Sequence, residues 1–168
     1  LLIKLKLKGY NDIEVLATPW QKRKTFKSLI PHRPLFPIYD MKLNSFCDKL
    51  GYKYTPISLS EICGYLKLDS MILIGGAGIL PEKLVNNMRI INSHPGYLPY
   101  LRGLDSLKWA IHFERPIGVT SHIISKDCDA GKLIDRKLVP LYKWDTFHSF
   151  AYRQYDIEVE MLVESIVD

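Results

Sequence analysis

An amide, an imidazole and a carboxylate stand where they could act on one reacting group. Asn92 and His94 are two residues apart in the string NSHPGYLP, which leaves the apolar run MRII. In an extended chain, residues two apart project to the same side. Asp129 sits in the short string DAG between two strand-like stretches, on a turn from which a carboxylate could reach the same pocket. Such a set suits acyl transfer. An amide N–H stabilises an oxyanion as it develops. An imidazole polarises a carbonyl or shuttles a proton, while a carboxylate orients it and helps to accept a proton. The same spacing also fits ordinary turns, because Asn-x-His-Pro can cap backbone groups and Asp-Ala-Gly can be a plain hairpin turn. Spacing alone leaves both readings open.

Few other residues compete for a chemical role. His112 and Glu114 read as surface residues near a helix end, and His32 and His148 belong to no pattern. No H-E-x-x-H string and no close Cys/His set occurs, so no metal site is expected. Gly76-Ala-Gly78 lacks the third glycine and the helix context of a dinucleotide fingerprint. The three cysteines, Cys47, Cys63 and Cys128, form no C-x-x-C pair, which argues against a disulfide framework and for a reducing cytoplasm. Cys47 and Cys63 read as core thiols. Cys128, beside Asp129, is either a reactive thiol or a passive loop residue. Trp20, Trp109 and Trp144 read as packing residues.

The elements that must position the three groups follow from periodicity and punctuation. Residues 1–8 read as a helix end before Gly9, with a strand as the alternative, and 13–18 as a strand. Residues 20–40, rich in proline and basic side chains, read as a loop. A helix is predicted over 41–50, stopped by Gly51, then a short extended piece over 52–56. Ser58 and Glu61 have capping-box spacing and open a helix over 59–67. Strands at 70–74 and 88–92 flank a helix that starts with Pro81. A loop over 93–104, a helix over 105–113 capped by Asp105, and strands at 117–125 and 132–141 follow. A last helix, 145–168, is capped by Asp145 and carries an apolar face that either packs on its own sheet or pairs with a second copy as a homodimer. Alternating strands and helices predict an α/β, Rossmann-like fold with a mostly parallel sheet and helices on both faces. Sites in such sheets lie beyond the carboxyl ends of the strands.

The chain has 168 residues, enough for one domain with a real core, and a formal net charge of +5. Its one basic cluster, residues 21–27 (QKRKTFK), is short and reads as a solvated loop, so no nucleic-acid partner is expected. No apolar run is long enough to cross a bilayer, and the first residues lack the apolar core of a signal peptide.

NSHPGYLP with the following RG, then GVTSHIISKDCDAGKLI, resembles the signature of the folate-dependent formyltransferase family. The resemblance spans residues 68–142 with specific motifs and the rest more loosely. It implies transfer of a formyl group from 10-formyltetrahydrofolate, as co-substrate, to a primary amine, with Asn92, His94 and Asp129 at the catalytic positions. Asn92 and His94 would stabilise the oxyanion. Asp129 would anchor His94 and help to remove the amine proton. The loop with Gly78, Ile79 and Leu80, and that with Ile124, Ser125, Lys126 and Asp127, would wall the folate pocket. His122 falls where purine-pathway members carry histidine.

Departures from the family pattern shape the expected acceptor. The usual first strand and its glycine- or serine-containing loop are missing ahead of Leu1, so residues 1–168 are expected to be one catalytic domain that is N-terminally incomplete. That loop grips the phosphate of glycinamide ribonucleotide in the purine enzymes. Methionyl-tRNA formyltransferases add a C-terminal β-barrel that residues 1–168 do not include, so tRNA is not the expected acceptor. The string from Tyr97 to Trp109 is most similar to formyltransferases acting on nucleotide-linked amino sugars of surface polysaccharides. Tyr97 and Tyr100 could stack on a base or sugar, and Arg102 and Lys108 could face a diphosphate. Core aromatics and a helix-flanking salt bridge are the competing readings of those four. The expected partner is thus a small, phosphorylated amine. The alternatives are a glycinamide ribonucleotide formyltransferase and an inactive folate-binding relative.

Overall fold

The computed structural model describes residues 1–19, 41–67, 69–76 and 78–166. The basic segment 21–27, Trp20 and His32 lie outside them. In chain order the elements are α1 (Leu2–Leu7), β1 (Glu14–Ala17), α2 (Leu43–Leu50), β2 (Lys53–Pro56), α3 (Leu59–Tyr65) and β3 (Met71–Leu73). Then come α4 (Glu82–Asn87), β4 (Arg89–His94), α5 (Ser106–His112), β5 (Gly118–Ile123), β6 (Leu133–Leu138) and α6 (Phe147–Glu164).

Local signals explain most boundaries. Gly51 ends α2 in the left-handed region at φ 72, where a residue without Cβ is free of strain. Glu61 accepts the Ser58 amide at 3.1 Å in the expected capping box. Two expected caps shift. Asp105 precedes α5 at φ 57 and makes no side-chain cap; its carboxylate pairs instead with Lys108 at 3.1 Å. Thr146, not Asp145, caps α6 by accepting the Ser149 amide at 3.1 Å. Asp145 is drawn into a two-pronged pair with Arg153, both contacts at 2.8 Å.

Among the described residues the strands form two sheets, β1-β2 and β3-β4-β5-β6. The α/β arrangement with helices on both faces is the expected one, but the larger sheet is mixed. β3 and β4 are parallel, whereas β5 runs antiparallel to β4 and to β6. The β5–β6 link is a short turn, which can join only antiparallel neighbours.

One core cluster, Leu107, Val119, Val139, Phe150, Ala151 and Met161, seats α5 and α6 on the sheet. A second gathers Ile62, Leu84, Met88 and Ile90 under α3 and α4. Each of the larger side chains taken fully out of water stabilises by roughly 1.5–3 kcal/mol, so these clusters hold the layers. Phe147 and Ile157 join the first cluster, so the apolar face of α6 is used on its own sheet. Cys47 is buried as expected, and Cys63 is partly buried against the second cluster. Trp109 and Trp144 depart from the packing reading at 49% and 78% exposed; each stacks on a neighbouring ring instead, Phe113 and Tyr142 respectively. Among the described residues no helix is long and apolar enough to cross a membrane.

Candidate active site

β4 delivers Asn92 and His94 by simple alternation. Ile90, Asn92 and His94 share one face of the strand, and the antiparallel register sets His122 opposite Asn92 and Thr120 opposite His94. Asn92 Nδ2 lies 3.4 Å from His122 Nε2. β5 runs backwards beside β4, so its carboxyl end falls next to Ile91 and not beyond His94. The turn after it folds back over the strands and carries Asp129 to the site. That turn is tight. A Cβ on Gly131 would overlap the Ile123 carbonyl, which accounts for glycine in the Asp-Ala-Gly string. Asp129 itself takes φ 47, a conformation that aspartate tolerates better than most residues.

His94 and Asp129 therefore meet, and His122 links Asn92 to Asp129. His94 Nδ1 is 3.4 Å from Asp129 Oδ2, and His122 Nε2 is 3.7 Å from Asp129 Oδ1. The Gly103 amide donates to Asp129 Oδ2 at 2.8 Å. Cys128 Sγ donates to the same oxygen at 3.4 Å and is exposed. His94 and His122 are buried, at 4% and 2% exposed. Burial pushes the His122 imidazole below its ordinary range, against the opposing pull of the Ile123 carbonyl and Asp129. A cavity of about 150 Å³ opens here, lined among others by Leu98, Pro99, Arg102, His122, Asp129 and Arg136.

Several supports carry no motif. Thr120 Oγ1 donates to the Gly96 carbonyl at 2.7 Å and accepts the Leu98 amide at 3.0 Å. Gln154, buried on α6, donates to the carbonyls of Pro95 and Gly118 at 3.0 and 3.1 Å. Arg136 donates to the Leu98 carbonyl at 2.8 Å, with its guanidinium 4.9 Å from the centre of the Tyr97 ring. These side chains pin the loop that leaves His94. A buried glutamine in a helix is itself a signal, because an amide so placed must have partners.

The other expected residues are spread more widely. The 75–80 loop leaves β3 where Ile74 donates its amide to the Ile91 carbonyl, one residue before Asn92. Gly78 and Ile79 are exposed, Ile79 at 97%. Leu80 and Ile124 both pack on the cluster around Ile90, so the two expected folate walls converge beside β4. Ser125 Oγ donates to the Asp127 carbonyl at 3.2 Å, and Lys126 and Asp127 are exposed. Tyr97 and Tyr100 stack at 6.3 Å between centroids. Arg102 is exposed at the cavity mouth, while Lys108 makes its ion pair with Asp105. Among the described residues no group of three or more His, Cys, Asp or Glu could hold a metal ion.

Residues 54–166 match the family described as Formyl transferase. The chain belongs to that family. The dTDP-4-amino-4,6-dideoxyglucose formyltransferase of Mycobacterium tuberculosis is 34% identical over 84 residues, covering 50% of this chain and 36% of that protein. The methionyl-tRNA formyltransferase of Thermotoga maritima is 30% identical over 162 residues, covering 93% of this chain and 50% of that protein. Among solved structures, a sugar N-formyltransferase from a Shewanella species superposes with a TM-score of 0.57 at 27% identity, covering 73% of this chain and 51% of that one. This chain thus spans between about a third and a half of these relatives' lengths.

Proposed function

We propose that this protein transfers the formyl group of 10-formyltetrahydrofolate to the primary amine of a nucleotide-linked amino sugar. The observation that carries formyl transfer is the meeting of His94 and Asp129 beside Asn92, on segments separated in the chain by α5 and β5. The residues around the site fit a folate co-substrate. Two loops converge on one side of β4, Leu80 and Ile124 offer apolar contact there, and Ile79 is exposed to meet a flat ring. The co-substrate supplies an activated formyl group. In the net reaction the acceptor nitrogen gains the formyl carbon, the bond to the folate nitrogen breaks, and one proton passes the other way.

The side chains divide this work. Asn92 presents an amide N–H to the charge that develops on the acyl oxygen, and His94 adds a second donor. Asp129 orients His94 and takes up the proton that the attacking amine loses. His122, held neutral by burial, borders the site without adding a cation. Arg102 and Arg136 at the cavity mouth suit an anionic acceptor. The sugar-acting relatives from Mycobacterium tuberculosis and Shewanella support the same acceptor class.

The test is formyl transfer read by mass spectrometry with 10-formyltetrahydrofolate and a panel of amines. The panel holds dTDP- and UDP-linked 3-amino and 4-amino sugars, glycinamide ribonucleotide and methionyl-tRNA. A formylated nucleotide sugar is expected. Formyl found only on glycinamide ribonucleotide or methionyl-tRNA would overturn the acceptor and keep the chemistry. Folate binding without transfer to any amine would leave an inactive relative.

A further inference from the structure

His94 has two ring nitrogens, and each faces a different partner. Nδ1 faces Asp129 Oδ2 at 3.4 Å. Nε2 lies 3.0 Å from the Leu101 carbonyl and 3.3 Å from Ser106 Oγ. A carbonyl oxygen only accepts, so Nε2 carries a hydrogen. Ser106 reinforces that assignment. Its one hydroxyl hydrogen goes to the Gly103 carbonyl at 2.8 Å, so the oxygen turns a lone pair toward His94. Nε2–H therefore has two acceptors and no donor facing it. Gly103 closes the loop, because its amide holds Asp129 Oδ2 at 2.8 Å. One serine thus joins the imidazole to the turn that grips the carboxylate. Ser106 is 2% exposed, so water does not compete for these bonds. Gly96 shields the same side: a Cβ there would overlap His94 Nε2 and crowd the Leu101 carbonyl.

We propose that Ser106 is a positioning residue for the formyl transfer proposed above, on which its kinetic role rests. With the Leu101 carbonyl it holds His94 in the Nε2-protonated form and sets the Nδ1 edge against Asp129. Nδ1 is then the edge left to share a proton with Asp129 and to donate to the acyl oxygen, and Nε2 is an anchor. Ser106 touches neither the acceptor nor the folate.

Two readouts test this, and the first needs no substrate. In protein with ¹⁵N-labelled histidine, long-range proton–nitrogen spectra near neutral pH are expected to show His94 Nε2 protonated, with a hydrogen slow to exchange. The second compares Ser106→Ala with Ser106→Thr, which keeps the hydroxyl. In Ser106→Ala the Nε2 hydrogen is expected to exchange about 10-fold faster or more. There kcat falls about 10- to 100-fold while KM for 10-formyltetrahydrofolate changes less than about 2-fold. Ser106→Thr is expected to restore both. A bare Nε2 in the unaltered protein overturns the proposal whatever the activity, and decides the matter even if Ser106→Ala does not fold. Unchanged exchange and unchanged kcat in a folded Ser106→Ala protein overturn it too. If the unaltered protein formylates no amine, the formyl-transfer reading fails, and the Nε2 hydrogen exchange of Ser106→Ala against the unaltered protein still tests the role of Ser106.

Discussion

His122 sits between Asn92 and Asp129 with almost no solvent contact, and burial dominates its protonation. An imidazole kept neutral by the fold binds protons more readily once the chain unfolds. The stability it carries is full above the free-imidazole range and is lost as pH falls through that range toward the lower folded value. Denaturant unfolding from about pH 7 to about pH 5 should therefore show a loss of stability that is smaller in His122→Gln. An equal loss in both proteins would assign the effect to other groups. The strings around Asn92, His94 and Asp129 stood out in the sequence through their resemblance to the family signature, whereas their spacing alone also fitted ordinary turns. Ser106 did not stand out. A serine at a helix start reads as ordinary, and its partners are backbone carbonyls, which have no side-chain signature.

At the level of elements, strands and helices were legible from alternation and glycine stops, and the antiparallel β5–β6 pair matches the hairpin reading of Asp-Ala-Gly and not the mostly parallel sheet. The direction of β5 against β4 was not legible, because a helical connection such as α5 serves either direction. That direction matters, since it brings Thr120 and His122 opposite His94 and Asn92. The exposed Trp109 and Trp144 were misread for a related reason: hydrophobic type does not say whether a side chain on α5, or in the turn before α6, faces the core. α6 links packing to the site through Gln154. Its apolar side chains hold the helix, and its two amide bonds, worth about 1 kcal/mol each, fix where Pro95 and Gly118 lie against it. Gln154→Ala should cost about 1–3 kcal/mol in chemical denaturation, because two buried carbonyls lose their donor. No measurable loss would mean that those carbonyls find other partners.

Across the whole molecule, α1 ties the parts together. Lys4 pairs with Asp156 and Glu160 of α6 at 2.9 and 2.8 Å, and Tyr52 next to β2 donates to the Tyr10 carbonyl at 2.7 Å. The formyl transferase family is set by the match over residues 54–166, where the site lies. The acceptor was less legible than the chemistry. Acyl transfer needs a few groups at fixed spacing, whereas the residues proposed to meet the acceptor, such as Tyr100 and Arg102, are exposed side chains whose types alone name no ligand. The most direct measurement is transfer of a labelled formyl group from 10-formyltetrahydrofolate to the amine panel. It compares the unaltered protein with Asn92→Ala, His94→Ala and Asp129→Ala, each checked for folding by circular dichroism. The label should reach an amine with the unaltered protein, and turnover should fall by about 10²-fold or more in each folded variant. Near-normal turnover in the three variants would contradict the assignment of these residues to the reacting centre.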